Sequence, residues 1–264
     1  MILKGIFVCI VIVIYLHVTF QLKTCQDLEV YETDVTNYEE VCNLKQPVVF
    51  QYMDEKLNWK LEDYHAYDVH VYDSTYIDVP LPLDKSIQLF KKGKHATFRN
   101  SDFIKETVHT CYADSDRILR PPLVSSIEYD TMFGSEEFVT RLQYHTSCRN
   151  FFIITHGSVI IKLTCPNKYI NTVKQYETQE FYSEMDPWKD PDKKIKFLTV
   201  PLSAGRMISI PAYWWYSIKL EKDARISILH YRTMMNTLAT LPELLLGFLQ
   251  RQNTLTKTLP SFTC

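Results

Sequence analysis

The stretch LSAGRMISIPAYWWYSIKL, residues 202–220, decides the fold class of this chain. A strand-like alternation runs up to Pro211, three aromatic residues follow, and the alternation then resumes. Because successive side chains of a strand point to opposite faces of a sheet, the pattern predicts two strands joined at a proline corner. Trp214 and Tyr216 are expected on one face, and Trp215 on the other.

The composition favours one sizeable, mainly β domain. Of the 264 residues 46% are hydrophobic, and 17 Tyr and 14 Phe are present, which are residues that strands favour. Only 6 Gly occur, without a glycine-rich phosphate-binding pattern, which argues against a nucleotide-cradling loop. The net charge of −2 offers no basic surface, so no nucleic-acid partner is expected.

The N-terminus carries an 18-residue apolar run, Gly5 to Leu22, flanked by Lys4 and Lys23. This length is close to the ~20 residues that cross a bilayer as a helix. No small-x-small cleavage site follows the run, so a retained single-pass anchor is favoured over a cleaved signal peptide; a buried strand is the third alternative. The membrane is therefore the expected partner and location, and a single lysine before the run does not determine which side the domain occupies.

Four segments follow from these patterns. They are an anchor or signal peptide at 1–23, a polar linker at 24–45, a β-rich domain at 46–232, and a C-terminal helix and tail at 233–264. Within the domain, NFFIITHGSVIIKL has the pattern of a hairpin that turns at Gly157. The C-terminal helix carries an apolar stripe that is expected to pack on the sheet; a homodimer or another protein partner on this helix is the alternative. The stripe consists of Leu241, Leu244, Leu245, Phe248 and Leu249.

The segment AGRMISIPAYWWYSIKL resembles the closing strands of the JmjC and cupin-like hydroxylase family. That family has the pattern G-x-x-x-x-I-P-x-x-W-W-H-x-V, whose histidine binds iron. The positions that match are Gly205, Ile210, Pro211, Trp214 and Trp215.

A second family motif is similar to NFFIITHGSVIIKL, with Asn150, Gly157 and Leu163 in register. The resemblance implies a double-stranded β-helix, the jelly-roll barrel of cupins, over residues 46–232, with an N-terminal transmembrane helix and flanking helices. With its N-terminal anchor, the chain looks most like members encoded by large DNA viruses, which implies a virion or a host membrane as its location.

The resemblance also implies where an iron site would lie. Such enzymes bind Fe(II) with two imidazoles and one carboxylate, two of them supplied by an H-x-[DE] pair. None of the 8 histidines has Asp or Glu two residues later. The first ligand position is matched by Tyr144, the carboxylate by Thr146, the lysine that binds 2-oxoglutarate by Val159, and the last histidine by Tyr216. The barrel is therefore expected to hold no metal and no cofactor, and to contain no catalytic residue.

Some polar and aromatic residues are still expected near the mouth of the barrel. His145 is adjacent to the first ligand position, but a shift of one residue on a strand turns a side chain to the other face. Tyr216 is expected to fill the interior, with Tyr144 facing it across the mouth. The pocket candidates are Asn150, Trp214, His145 and His230.

Three functions are compatible with these patterns. The leading hypothesis is a membrane-anchored, catalytically inactive structural or interaction protein. The first alternative is a divergent Fe(II)/2-oxoglutarate hydroxylase with His145 and His230 as unusual ligands. The second alternative is a binding module that takes a sugar or peptide at the aromatic mouth.

Overall fold

The computed structural model describes residues 2–189 and 194–254. Strands make up 34% of the structure and helices 31%, and the described residues include seven α-helices. The strands are β1 (Tyr31–Asp34), β2 (Val48–Gln51), β3 (Asp68–Tyr72), β4 (Asp78–Pro82), β5 (Ala96–Thr97), β6 (Val124–Gly134), β7 (Leu142–Tyr144), β8 (Arg149–His156), β9 (Ser158–Thr164), β10 (Val173–Gln175), β11 (Glu180–Ser183), β12 (Leu198–Ser203), β13 (Arg206–Pro211), β14 (Trp215–Leu220) and β15 (Arg225–Thr233). The helices are α1 (Ile2–Leu22), α2 (Tyr38–Cys42), α3 (Leu83–Phe90), α4 (Ser101–Glu106), α5 (Ala113–Leu119), α6 (Met234–Ala239) and α7 (Leu241–Thr254).

The strands form two sheets that enclose an apolar core. The first sheet has nine strands in the order β1-β2-β13-β8-β15-β6-β5-β3-β4, and the second has six in the order β10-β11-β7-β14-β9-β12. One core cluster combines Phe152 and Ile226 of the first sheet with Ile161 and Ile218 of the second, so the inner faces of the two sheets pack together. The predicted mainly β fold with an N-terminal apolar helix is confirmed.

The stretch that includes the proline corner carries the chain from one sheet to the other. β13 ends at Pro211 in the first sheet, and β14 begins at Trp215 in the second. Between them Tyr213 has a positive φ of 66°, a conformation of tight turns. As the alternation predicted, Trp214 and Tyr216 lie in the core between the sheets, and Trp215 lies in a separate cluster.

The turn at Gly157 is also a crossing, so the predicted hairpin is wrong. β8 belongs to the first sheet and β9 to the second, where β9 pairs with β14 and β12. Gly157 has a φ of 62°, and a Cβ at this position would collide with the backbone oxygen of Lys222. A glycine is therefore required here for its positive φ and for the close approach of another turn.

The first sheet is also covered on its outer face. A second core cluster packs residues of β2, β8 and β15 against the segment 52–123, which contains α3 to α5. The most deeply buried of these residues include Phe50, Phe151 and Tyr231. In addition β1 pairs in parallel with β2, so part of the stretch that was expected to be a linker joins the edge of the first sheet.

The N-terminal run forms α1, which is long and apolar enough to cross a membrane. A signal sequence near the N-terminus has the same length and composition, so these two properties fit both interpretations. The described side chains of α1, residues 4–22, are exposed except for Val18 and Gln21, which are partly buried. The alternative of a buried strand is wrong, because this segment is helical.

At the C-terminus, the apolar stripe of α7 does not pack on the sheet, contrary to expectation. Gly247 is buried, and a Cβ there would collide with the carbonyl oxygen of Tyr176. The glycine allows the helix backbone to approach the domain closely, and this orientation turns most of the stripe outward. Its exposed members are Leu241, Leu245, Phe248 and Leu249, at 42%, 53%, 58% and 56% exposure.

Candidate functional site

A cavity of about 220 Å³ lies between the two sheets. The first sheet contributes residues of β6, β8 and β15 to its wall, and the second contributes residues of β7 and β14. Glu128 lines it and is exposed to solvent. The charged, imidazole and amide side chains in its wall include Arg99, Glu128, Asp130, Gln143, His145, His230 and Arg232.

His230 is held in one tautomer by Asn150. The two residues are directly opposite each other on β15 and β8, and His230 Nδ1 lies 2.7 Å from Asn150 Oδ1. The amide nitrogen of Asn150 donates to the carbonyls of Ser147 and Ile210, at 3.1 Å and 2.9 Å. The amide oxygen therefore accepts, His230 Nδ1 carries the proton, and its Nε2 is left as an acceptor.

His145 faces the same interior as His230. The two ring centroids are 4.2 Å apart, and His145 also stacks on Tyr216 with 5.8 Å between centroids. The expectation that the one-residue shift would turn His145 away is wrong. The reason is that Gln143 is the residue opposite Tyr216, so the inward positions on this segment are 143 and 145.

Both imidazoles are neutral at pH 7. Burial, and then the charge of Arg232, lower the pKa of His230 to about 3. Burial also holds the pKa of His145 well below its usual range, and the neighbouring His230 and Arg99 add to this effect. The pair can thus accept hydrogen bonds or donate lone pairs, and it carries no positive charge.

Tyr216 lies inside the core and has a polar partner. Its hydroxyl accepts a hydrogen bond from Gln143 Nε2, at 3.2 Å, which satisfies the requirement of a buried phenol for a partner. Its ring packs edge-on against Phe152, with centroids 5.2 Å apart. Burial raises the pKa of Tyr216, so the group remains a neutral phenol.

The sequence had suggested that Tyr144 faces Tyr216 across the mouth, but in the structure it does not. It stacks on Phe181 with 5.1 Å between ring centroids and meets Trp215 edge-on at 4.8 Å. Tyr144 and Trp215 belong to the third cluster, on the outer face of the second sheet, and Tyr144 and Phe181 also border the cavity. Alternation along β7 places Gln143 inward and therefore turns the ring of Tyr144 to the other face.

Thr146, at the position that the resemblance assigns to the carboxylate ligand, is hydrogen-bonded to the guanidinium of Arg232. Its side chain is buried, and Thr146 Oγ1 accepts a hydrogen bond from Arg232 Nη2 at 2.8 Å. Its backbone oxygen accepts from Asn236 Nδ2 at 3.1 Å. Burial lowers the pKa of Arg232, while Glu128 opposes this shift. Thr146 therefore helps to stabilise a partly buried guanidinium.

Two other predicted positions lie away from the cavity wall. Val159 is in the apolar core, opposite Leu202 and Leu220 on the neighbouring strands. Trp214 is fully buried, and its Nε1 donates to the backbone oxygen of Lys45 at 3.2 Å. Neither residue lines the cavity, whereas Tyr144 and Tyr216, which the resemblance also singled out, are part of its wall.

An acidic group with three backbone partners completes the site. Asp130 accepts hydrogen bonds from the backbone N–H groups of Arg99, Asn100 and Thr131 at 2.6–2.8 Å. Burial nevertheless raises its pKa to about 6. Arg99 also forms an ion pair with Glu180. Sequence reasoning missed these residues because no local sequence motif around position 99 or 130 indicates that they lie close together in space.

The donor set does not complete an iron site. The described residues contain no group of three or more His, Cys, Asp and Glu side chains placed to hold a metal ion. Two imidazoles are near each other, but a facial triad also needs a carboxylate that converges with them. The carboxylates of the cavity wall, Glu128, Asp130 and Glu180, do not form such a group with the imidazole pair. The residues present therefore do not fit the Fe(II) centre of the hydroxylases.

Comparison with other proteins adds no relative to this description. The chain matches neither a protein-family model nor a curated protein sequence.

Proposed function

We propose that this chain is a membrane-anchored, catalytically inactive protein of the cupin-like type that works as an interaction module. The observation that carries the proposal is the set of partners inside the site. Tyr216 is bonded to Gln143, and His230 is bonded to Asn150. Thr146 binds a guanidinium. These polar groups stabilise the domain itself. Unlike metal ligands, they do not converge on one point.

The order of the strands supports the double-stranded β-helix within this proposal. In the central part of the chain β6, β8, β13 and β15 lie in the first sheet, and β7, β9, β12 and β14 lie in the second. The chain changes sheet at each step among these eight strands except from β9 to β12. A jelly roll of this kind has eight strands in two facing sheets.

The experiment uses the full chain in lipid nanodiscs. Fe(II) is titrated under anaerobic conditions with 2-oxoglutarate present, and succinate release is measured after air is admitted. The matched control is the double variant His145→Ala, His230→Asn, which removes both interior imidazoles. We expect no stoichiometric Fe(II) binding and equal, background succinate in both proteins. Stoichiometric binding with turnover that the double variant loses would establish the divergent hydroxylase instead.

A second candidate function is favoured by the imidazole pair. His145 and His230 present neutral rings to a cavity of about 220 Å³, which is somewhat smaller than the ~300–1,000 Å³ of drug-sized pockets. Unprotonated ring nitrogens accept hydrogen bonds from hydroxyl groups. A small polyol or monosaccharide is therefore the ligand class for a binding module of this shape.

The test of this second function follows the imidazole ¹⁵N resonances of the full chain during titration with glucose and with glycerol. Binding in the cavity should shift the resonances of His145 and His230 and leave those of the exposed His65 in place. If neither sugar nor polyol shifts the pair selectively, the cavity is not a binding site for this class.

A further inference from the structure

The exposed stripe of α7 is one continuous apolar surface. Its members Leu241, Leu245, Phe248 and Leu249 follow the spacing of one helix face. The opposite face holds the helix to the domain. There Gln250 accepts a hydrogen bond from the backbone N–H of Glu177, and Arg251 donates to the Glu177 backbone oxygen at 2.8 Å. The stripe is consequently directed away from the domain.

Two further apolar residues are exposed on α6, the helix that directly precedes α7. Met234 and Leu238 of α6 are 53% and 44% exposed and lie one turn apart. Thr240 joins the two helices, because its N–H donates to the carbonyl of Asn236 and its own carbonyl accepts from the N–H of Leu244. We use the name C-terminal apolar surface for six exposed residues of α6 and α7, which are Met234, Leu238, Leu241, Leu245, Phe248 and Leu249.

The contact of α6 with α1 determines where this surface lies. α6 packs beside α1, and the partly buried side chains of α1 are Val18 and Gln21, in its last two turns. The contact is therefore at the end of α1 from which the chain enters the domain. A helix of 21 residues is about 31 Å long at 1.5 Å per residue, which matches the ~30 Å hydrocarbon core of a bilayer.

Lys45 fixes this end of α1 to the domain. Its Nζ donates to the backbone oxygens of Phe20, Gln21 and Lys23, and it lies 4.2 Å from the centroid of the Phe20 ring. Lysine at the C-terminal end of a helix also interacts favourably with the unpaired carbonyls and the helix dipole. The domain is thereby held close to the membrane surface when α1 spans the bilayer.

We propose that the C-terminal apolar surface binds the lipid bilayer, with α7 lying in the interface beside the point where α1 leaves the membrane. The occupant is lipid and not a second copy of the chain, because the surface adjoins a helix that is itself exposed to its surroundings along nearly its whole described length. An amphipathic helix whose apolar face meets a bilayer buries that face at the boundary of headgroups and acyl chains. This inference rests on the membrane anchor of the proposed function and is independent of what the inter-sheet cavity binds.

The test labels the full chain from within the membrane. The protein is placed at one copy per nanodisc of phosphatidylcholine that contains a diazirine-bearing lipid, and is irradiated and digested with trypsin. Cleavage at Arg232 and Arg251 releases the peptide 233–251, which carries the whole surface. Peptide 5–23 reports on α1, and peptide 61–85, with the exposed Ile77, is the reference for a surface away from lipid.

We expect strong labelling of 5–23 and 233–251 and background labelling of 61–85. The double variant Leu245→Glu, Phe248→Glu should lower the labelling of 233–251 about tenfold, because a charged face leaves the interface. The matched control Ile77→Glu should change nothing. Because both altered positions are exposed, we expect an unchanged melting temperature, which would show that folding is preserved. The single variant Leu245→Glu serves as a milder version.

Three results would overturn the inference. Labelling of 5–23 with background labelling of 233–251 would show an anchored chain whose C-terminal surface is free of lipid. Background labelling of both peptides would show that α1 is not in the bilayer. Labelling of 233–251 that falls when two copies share a nanodisc would identify a second copy of the chain as the occupant.

Discussion

Replacing His230 by asparagine should change how the stability of this protein depends on pH. Asparagine keeps an N–H donor for the amide oxygen of Asn150, which lies 2.7 Å from His230 Nδ1, but it cannot be protonated. In the folded wild type, burial lowers the pKa of His230 from 6.5 to about 3. In the unfolded chain the same group titrates near 6.5.

The sign of the effect follows from proton binding. Between pH 6.5 and pH 3 the unfolded state binds a proton at His230 that the folded state does not, so the free energy of unfolding falls as the pH falls through this window. From pH 7 to pH 5 one such group removes about 2 kcal/mol of stability. Asp130, whose pKa burial raises to about 6, stabilises the fold as the pH falls, and this contribution is present in both proteins.

The assay is urea unfolding of the full chain in detergent micelles at pH 7 and at pH 5. The wild type should lose about 2 kcal/mol more than His230→Asn between the two pH values, whatever the variant costs at pH 7 through its smaller volume. His65→Asn, which replaces an exposed histidine, is the control for the loss of an imidazole. Equal pH dependence in the wild type and in His230→Asn would refute the lowered pKa that burial gives this residue.

Three further substitutions test other parts of the structure. Asn150→Ala leaves two carbonyls and one imidazole N–H inside the protein without their partner and should cost about 3 kcal/mol or more in urea unfolding. Gly157→Ala should cost about 2 kcal/mol or more, because its positive φ is combined with a collision against the β14–β15 turn. Gly205 also has a positive φ but has open space around it. A smaller drop in melting temperature for Gly205→Ala would therefore give the part of the cost that comes from the collision. Thr146→Val removes the acceptor of Arg232 Nη2 and should cost about 1.5 kcal/mol; a variant as stable as the wild type in urea would show that the guanidinium needs no partner at that position.

The strands beside Gly157 and beside the proline corner were predictable from the sequence, but their pairing partners were not. β1 was not predicted, because it lies in the stretch expected to be a linker. The sequence around Gly157 fits a hairpin and a crossing between facing sheets equally well, since both need two alternating runs and a residue with positive φ. What separates them is the identity of the neighbouring strands, β14 and β12 for β9. These contacts are distant in sequence, and local periodicity carries no information on them.

The phase of β7 shows why the candidate site was found only in part. His145, His230 and Tyr216 were all singled out, and all three line the cavity. Only the register of β7 was off by one residue, because the resemblance carried Tyr144 to an inward ligand position and the structure places Gln143 opposite Tyr216. Apolar residues such as Leu142 normally point inward, but here the outer face of the second sheet is also covered by an apolar cluster.

The position of α7 had a similar cause. The apolar stripe was read correctly as one helix face, and the expectation that it would pack on the sheet assumed that an apolar face always turns to the core. Gly247 was the relevant signal, because a glycine inside a helix permits close backbone contact on its own side. Its side of the helix is the one that meets the domain.

Lys45 connects α1 to the centre of the domain. Its side chain donates hydrogen bonds to the carbonyls of Phe20 and Gln21 at the end of α1, and its backbone oxygen accepts one from the indole N–H of the fully buried Trp214. Trp214 lies at the crossing from β13 to β14. A pull or a tilt of α1 is therefore passed through two hydrogen-bonded steps to the joint between the sheets. This linkage restrains the orientation of the domain, and of its cavity, relative to the axis of α1.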